Sequence, residues 1–206
     1  MITKWEYTDD RDGYRQKTKK LIKDNGYNSV DIGAGMDYWS YPECKNSIDF
    51  LEITKEDNVH YRVDLDKISK SDLVFHKYDF SICSHTLEDI FNPFDVIDFL
   101  EKISHRGLIA IPSKFYEFSF LYENKYRGNA HHKQLFDIID NKLVLFPKYP
   151  FIEVMEETNS IRDMKRGNDL YFYWEGNIPK KYFNEGFVFK SDAQVINTFY
   201  NELRKS

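Results

Sequence analysis

Cysteine is scarce: Cys44 and Cys83 are the only two in 206 residues, and they stand in unlike surroundings. Two such thiols make neither a metal-ligand spacing nor a disulfide framework, so a reducing, cytoplasmic setting is the simplest expectation. No apolar run approaches the ~18 residues that a membrane-spanning helix needs, so no membrane partner is expected. The opening Met1-Ile2-Thr3-Lys4 lacks the build of a secretion signal. Long basic runs are missing as well. Net charge is −5, and the densest early cluster, Lys17-Thr18-Lys19-Lys20, reads as a solvated helix face. Without a basic patch the chain lacks the footprint for a phosphate backbone, and no nucleic-acid partner is expected. Internal repeats and low-complexity segments are also lacking.

What remains is a globular composition, 41% hydrophobic and 31% charged, with aromatics at 17%. That length can bury a substantial core, so residues 1–206 are expected to form one domain without a true linker. Tyr14 to Asn25 read as a polar helix stopped by Asn25-Gly26. Strand-like runs follow at Ser29–Ile32, Ser47–Leu51, His60–Asp64, Tyr78–Ser84 and Gly107–Pro112. Asn92-Pro93 opens a helix that places Val96, Ile97, Leu100 and Ile103 on one face. Strands separated by crossovers predict a mostly parallel α/β sheet with helices on both faces. A ligand cleft in such a sheet should lie at the carboxyl ends of its strands. After Pro112 the chain turns aromatic-rich, with short strands at Leu143–Phe146 and Leu170–Trp174 and a closing helix from Ser191 to Arg204. Residues 1–112 are expected to be mainly a cofactor half and 113–206 mainly a substrate half, with one later strand running antiparallel.

The most telling stretch is Ser29-Val30-Asp31-Ile32-Gly33-Ala34-Gly35-Met36-Asp37. A short β run ends in an acid, and two glycines follow with one residue between them. Glycines there let the chain turn and let a ligand approach the backbone with no Cβ in the way. Downstream, Asp49 and Asp64 each fall near a strand end. A carboxylate accepts hydrogen bonds from two vicinal hydroxyls more strongly than a neutral side chain does. For either acid alone, a solvent-facing strand end is the bland alternative.

Taken in order, these motifs resemble the class I S-adenosylmethionine-dependent methyltransferases over residues 29 to 112. Val30 to Gly35 is similar to the glycine motif beneath the methionine part of the cofactor, with Asp31 ordering that loop or meeting the amino end through water. Asp49 stands where the family binds ribose (Glu52 is the fallback), and Asp64 where it meets the adenine amino group. Ser84-His85-Thr86-Leu87-Glu88-Asp89 resembles the family's Ser-His-x-Leu-Glu-His segment, with Asp89 in place of the second histidine. Gly107 to Ser113 resembles the fifth strand of a subgroup reading Gly-Tyr-Ile-Glu-x-Pro-Ser. The resemblance implies a Rossmann-like fold and S-adenosyl-L-methionine as cofactor. It implies that Asp31, Gly33, Ala34, Gly35, Asp49, Phe50, Asp64, Leu65, Ser84 and His85 line the cofactor. Two departures stand out: Asp37 replaces the usual third glycine, and residues 35–47 are short and contain Pro42, which predicts a stunted first crossover helix.

Methyl transfer to a hydroxyl needs alignment and a base, and the candidate catalytic residues are His85, His131 and His132. An imidazole, with an unperturbed pKa of about 6.5, suits proton abstraction near neutral pH. His131 and His132 lie in Arg127-Gly128-Asn129-Ala130-His131-His132-Lys133-Gln134, which resembles the Arg-Gly-x-x-His-His stretch of the same subgroup. The plainer readings are a cofactor-lining or capping role for His85 and a surface pair before a helix for the other two. His60, His76 and His105 read as structural or exposed. Asp64, Asp66, Glu88 and Asp89 are not spaced as an oxygen cage, so no metal is expected. The run Phe115 to Tyr122 fits either an acceptor wall, since aromatic faces suit sugar rings, or plain core. Trp174-Glu175 is equally open.

The expected activity is O-methylation of a small-molecule or glycan hydroxyl. Against a nucleic-acid methyltransferase, no Asn/Asp-Pro-Pro-aromatic motif follows the fourth strand, and Asn92-Pro93-Phe94 comes too late. A protein methyltransferase is a further alternative. Against a non-catalytic module of this fold stand Asp49, Asp64 and the Gly33-Ala34-Gly35 turn. The oligomeric state is not legible.

Overall fold

The computed structural model describes residues 1–34, 46–49, 60–70, 76–119, 121–122, 126–153, 159–164 and 166–205. β1 (Ile2–Thr8) leads into α1 (Arg11–Asn25) and β2 (Ser29–Ile32). β3 (Asn46–Asp49) and β4 (His60–Arg62) come next, then a 3-10 segment over Leu65–Lys70 and β5 (Phe80–Ser84). A 3-10 turn at Leu87–Asp89 precedes α2 (Pro93–Ile103), β6 (Arg106–Pro112) and α3 (Lys114–Ser119). Two short strands, β7 (Leu121–Tyr122) and β8 (Tyr126–Arg127), pair as a ribbon. β9 (Gln134–Ile139) and β10 (Lys142–Pro147) form a hairpin, followed by α4 (Asn159–Arg162). β11 (Asp169–Glu175), β12 (Lys180–Tyr182) and α5 (Asp192–Leu203) complete the order.

The main sheet has seven strands in the order β1-β11-β6-β5-β2-β3-β4. β2 lies parallel to β5, Ser29 against Phe80 and Ile32 against Cys83, so the two strands that the expected cleft depends on share one sheet. β3, β4 and β6 continue the parallel set, while β11 runs antiparallel to β6. This is the Rossmann-like α/β architecture with one reversed strand. β1 pairs antiparallel with β11 and closes that edge. The sequence reading did not anticipate β1, because Lys4 and Glu6 interrupt any apolar run. Such charges are what an edge strand tolerates, and four successive residues of β1 are exposed.

Period-2 alternation divides the central strands between two cores. Ile82, Leu108, Ala110 and Tyr171 face Tyr14 and Ile22 of α1, whereas Cys83, Ile109, Ile111 and Phe172 face the layer that holds Val96, Ile97, Leu100 and Ile103 of α2. Residues buried on both faces explain why β6 reads as a continuous apolar run, while β5, also buried on both faces, alternates Phe80, Ile82 and Cys83 with Ser81 and Ser84. Each fully buried aliphatic side chain contributes about 1.5–3 kcal/mol. α1 starts where the Asp10 carboxylate accepts from Gly13 N at 2.8 Å and stops at Gly26, whose left-handed φ of 63° closes the last turn. α2 has the expected proline in its first turn, though the Asn92 side chain makes no cap bond.

The second half packs around Phe115, Phe118, Phe146, Phe183, Phe199 and their neighbours. Leu143 to Phe146 belong to a separate sheet, β12-β10-β9. The segment after His131-His132 is strand β9, not the helix that the surface-pair reading supposes. Leu135, Phe136, Ile138 and Ile139 are buried on both of its faces, and its hairpin with β10 satisfies the backbone. The short crossover at residues 35–45, with Pro42, lies outside the described residues. No helix among the described residues is long and apolar enough to cross a membrane.

Candidate functional site

From β2 the chain moves outward through β3 and β4, then returns to lay β5 and β6 on the other side of β2. Connections therefore diverge between β2 and β5, and a crevice opens beyond their carboxyl ends, where open α/β sheets bind ligands. A cleft of ≈ 480 Å³ lies there, lined by Gly33, Asp64, Leu65, His85, Thr86 and Asp89, with Asp66, Ile90 and Lys133 at its margins. Its volume suits a small-molecule ligand.

Gly33 follows β2 with φ 73°, and its N–H donates to Ile48 O at 2.8 Å. A Cβ at this position would collide with the Thr86 side chain from across the crevice. Only glycine meets both demands. Asp31 and Ser84, near the ends of β2 and β5, are buried. Ala34 is half-buried after Gly33. Asp64 accepts from Asp66 N at 3.1 Å and pairs with Lys67 at 2.7 Å. The hydrogen bond from Lys67 holds its carboxyl below the usual range. Asp66 in turn accepts from Phe91 N at 2.6 Å, tying the cleft's far wall to the start of α2. Thus Gly33, Asp64, Leu65 and His85 are brought to one cleft. Gly35, Phe50 and Glu52 lie outside the described residues. Asp49 ends β3, with its side chain likewise outside the description.

His85 sits just past β5 in the left-handed region, φ 52°, unusual for a residue with a Cβ. Its N–H donates to Ala110 O at 2.7 Å. Its Nδ1 lies 3.6 Å from Glu88 Oε1 and its Nε2 3.5 Å from Asp169 Oδ1. Burial favours the neutral ring, but Asp169 and Glu88 outweigh it and push the His85 pKa up. A ring held toward its charged form, between two carboxylates, is suited to lining the cleft and poorly suited to taking a proton.

Asp169 escaped the sequence reading, along with Arg11 and Tyr14. Arg11 donates to both Asp169 oxygens at 2.7 Å, and Tyr14 Oη lies 3.3 Å from Oδ2. Burial opposes ionisation, yet His85 and Arg11 overcome it and bring the Asp169 carboxyl to about 2. No local motif marks this residue. It begins the antiparallel strand β11, so its start lies at the same sheet edge as the ends of β5 and β6.

The histidine pair is anchored to the cleft through backbone. Lys133 N donates to Glu88 O at 2.7 Å, which brings residues 131–133 beside the Leu87–Asp89 turn. His132 is buried, and its Nδ1 lies 2.8 Å from Glu117 Oε2. Glu117 also accepts from Lys148 Nζ at 2.6 Å and from Asn129 N at 2.9 Å. Although burial opposes it, His132 and Lys148 hold this carboxyl below the usual range. An ionised Glu117 can only accept, so His132 carries its proton on Nδ1 and turns Nε2 outward from that bond. A side chain on Gly128, at φ 76°, would strike Glu117. His131 is exposed and meets the His132 ring edge-on, centroids 4.5 Å apart. In the aromatic run, Phe115 and Phe118 are buried in the second core, as is Trp174 in the first, so these rings are structural.

No family model matches the chain, and no curated protein matches it. Among solved structures it is similar to a S-adenosylmethionine-dependent methyltransferase from Clostridium acetobutylicum, at 10% identity over 82% of this chain and 92% of that one, TM-score 0.49. It is also similar to the methyltransferase domain of bacterial CtHen1-CN, at 11% identity over 79% and 97%, TM-score 0.47. A third is the N-methyltransferase NodS from Bradyrhizobium japonicum with S-adenosyl-L-homocysteine, at 14% identity over 52% and 64%, TM-score 0.41. At such identities, activity and substrate have to be argued from this chain's own residues.

Proposed function

We propose that the chain is an S-adenosylmethionine-dependent methyltransferase acting on a hydroxyl of a small molecule or glycan. The observation that carries the reading is the Cβ-free turn at Gly33, facing Thr86 across a cleft that also holds Asp64 and His85. The residues fit such a cofactor. A bare backbone suits its methionine part, and Asp64 at the cleft wall offers an acceptor to the adenine amino group. Asp49, at the end of β3, is the proposed ribose acid. When bound, the cofactor supplies an electrophilic methyl group.

The residues around it divide the remaining work. Gly33 and Ala34 give backbone contact, while His85, clamped by Asp169 and Glu88, lines the cleft. His132 is the stronger candidate base of the pair. Its Nδ1–H is held by Glu117, which stabilises the imidazolium formed when Nε2 takes the acceptor proton. Orientation of the acceptor can lower the barrier by about 7–11 kcal/mol, with the base adding about 10²–10⁴-fold. The subgroup likeness at Gly107–Ser113 and His131-His132, together with a net charge of −5, favours a sugar acceptor over nucleic acid or protein.

Calorimetric titration with S-adenosylmethionine and its demethylated product tests the cofactor assignment. Methyl transfer from labelled cofactor to a panel of sugars, RNA and protein then tests the acceptor. One-site cofactor binding lost in Gly33→Val, with label appearing on sugars, is expected. No binding by the folded wild type overturns the assignment, and label on RNA or protein alone overturns the acceptor.

A further inference from the structure

The fold assembles a cluster that the sequence spacing did not disclose. Asp89 closes the turn after β5, and His131 and His132 lie more than forty positions on, just before β9. A carboxylate oxygen and one ring nitrogen from each histidine all lie within 4.8 Å of one another. We infer that Asp89, His131 and His132 form a binding site for a divalent first-row transition ion such as Mn²⁺, Fe²⁺, Co²⁺ or Zn²⁺.

Three independent features support it. The first is the donor set: two imidazoles and one carboxylate match borderline ions, whereas Mg²⁺ and Ca²⁺ take oxygen ligands. The second is the shell behind it. Glu117 fixes the Nδ1–H tautomer of His132 at 2.8 Å, and a carboxylate gripping the far nitrogen of a ligating histidine is the arrangement that metal sites use to orient the ring and raise its basicity. Glu117 is itself held by Lys148 and by Asn129 N, so the ring cannot swing away without breaking a buried network. The third is an unmet need. Asp89 Oδ1 is buried with no hydrogen-bond partner among the described residues. Buried carboxylate oxygens without partners are costly, and a cation relieves that cost.

Ligand bonds of about 2.0–2.2 Å bring donor atoms closer together than they now stand. The exposed side chain of His131 is able to make that adjustment. The remaining positions around the ion are left for water or for a ligand oxygen. Asp89 also lines the cofactor cleft, so such an oxygen would lie at the cleft's edge. Binding of the ion stands on this cluster alone. Its use, to make an acceptor hydroxyl acidic by coordination, rests on the methyl-transfer reading. With the ion in place, His132 would serve as a ligand and no longer as the base, and the coordinated hydroxyl, made more acidic, would pass its proton to water at the cleft's edge.

The test is titration of the metal-stripped protein, without any cofactor, with Co²⁺ followed by visible absorption and with Mn²⁺ followed by paramagnetic resonance. One ion per chain is expected for at least one of them, with micromolar or tighter affinity. Asp89→Asn and His131→Ala should each weaken it at least tenfold with the melting curve retained. Glu117→Gln, which leaves the ligands in place, should weaken it about 10- to 100-fold. His105→Ala, an exposed histidine elsewhere, should leave it unchanged. Failure of the wild type to bind either ion at millimolar concentration overturns the inference, as does binding indifferent to Asp89→Asn and His131→Ala. Because cofactor titration is a separate measurement, ion binding without cofactor binding removes only the methyltransferase reading. Cofactor binding without ion binding removes only this one.

Discussion

His132 Nδ1 and Glu117 Oε2 lie 2.8 Å apart, both side chains buried, and the carboxylate is held on its other side by Lys148. The trio joins α3 to the loops on both sides of the β9–β10 hairpin, so it holds the fold together there. Removing one member of a buried charge network leaves the others uncompensated, at about 3–5 kcal/mol. Glu117→Ala should destabilise the protein by about that much, and Glu117→Gln by less, because the amide keeps some of the bonds. Urea unfolding monitored by tryptophan fluorescence measures both. A loss below about 1 kcal/mol for Glu117→Ala contradicts the account.

Asp169 makes acid stability readable. Its folded value of about 2 lies below its ordinary 3.8. A depressed carboxyl stabilises the fold above its unfolded value and loses that contribution as pH falls through the folded one. About 2 kcal/mol should therefore disappear between roughly pH 5 and pH 2. In Asp169→Asn this part of the acid dependence should vanish, and neutral stability should fall because Arg11 and His85 lose their partner. Chemical denaturation across that pH range compares the two proteins. Parallel pH profiles count against the assignment.

Cofactor affinity should respond to the switch-point residues. Gly33→Val places a branched side chain at φ 73° and against Thr86, so binding should drop at least tenfold, about 1.4 kcal/mol. Asp49→Ala should weaken binding by about 1.5–3 kcal/mol if that carboxylate accepts from the ribose. Calorimetry on folded variants decides, and unchanged affinity in both removes the cofactor from this cleft.

Turnover should separate the histidines. His132→Ala should lower kcat by about 10²–10⁴-fold with cofactor affinity nearly unchanged. His131→Ala should cost less in ion-free protein, because among the described residues its exposed ring has no carboxylate bond like that between His132 and Glu117. His85→Ala should act mainly on cofactor binding. If the double variant His131→Ala, His132→Ala keeps full activity, neither histidine acts, and Glu117 is the next group to test.

The succession of strand segments from residue 29 to 112, the glycine turn, the stop of α1 at Gly26 and the start of α2 at Pro93 were legible in the sequence because they are local. β6 announces itself as an apolar run and β5 by its alternation, Gly26 and Pro93 as punctuation, and Gly33 as a glycine at a strand end. Backbone sterics and burial act on neighbouring residues, so a linear reading captures them. The aromatic run was ambiguous for the opposite reason: a ring's role depends on what packs against it, and Phe115 and Phe118 turn inward.

What only the tertiary structure decided is which distant groups meet. Asp169 reaches His85 because β11 runs antiparallel and starts at the edge where β5 ends. Glu117 reaches His132 because α3 and the segment before β9 share a buried wall, and Asp89 joins the histidines through the backbone bond from Lys133 to Glu88. Charge pairing and ligand geometry depend on distances in space, and chain closure sets those distances after the local elements have formed.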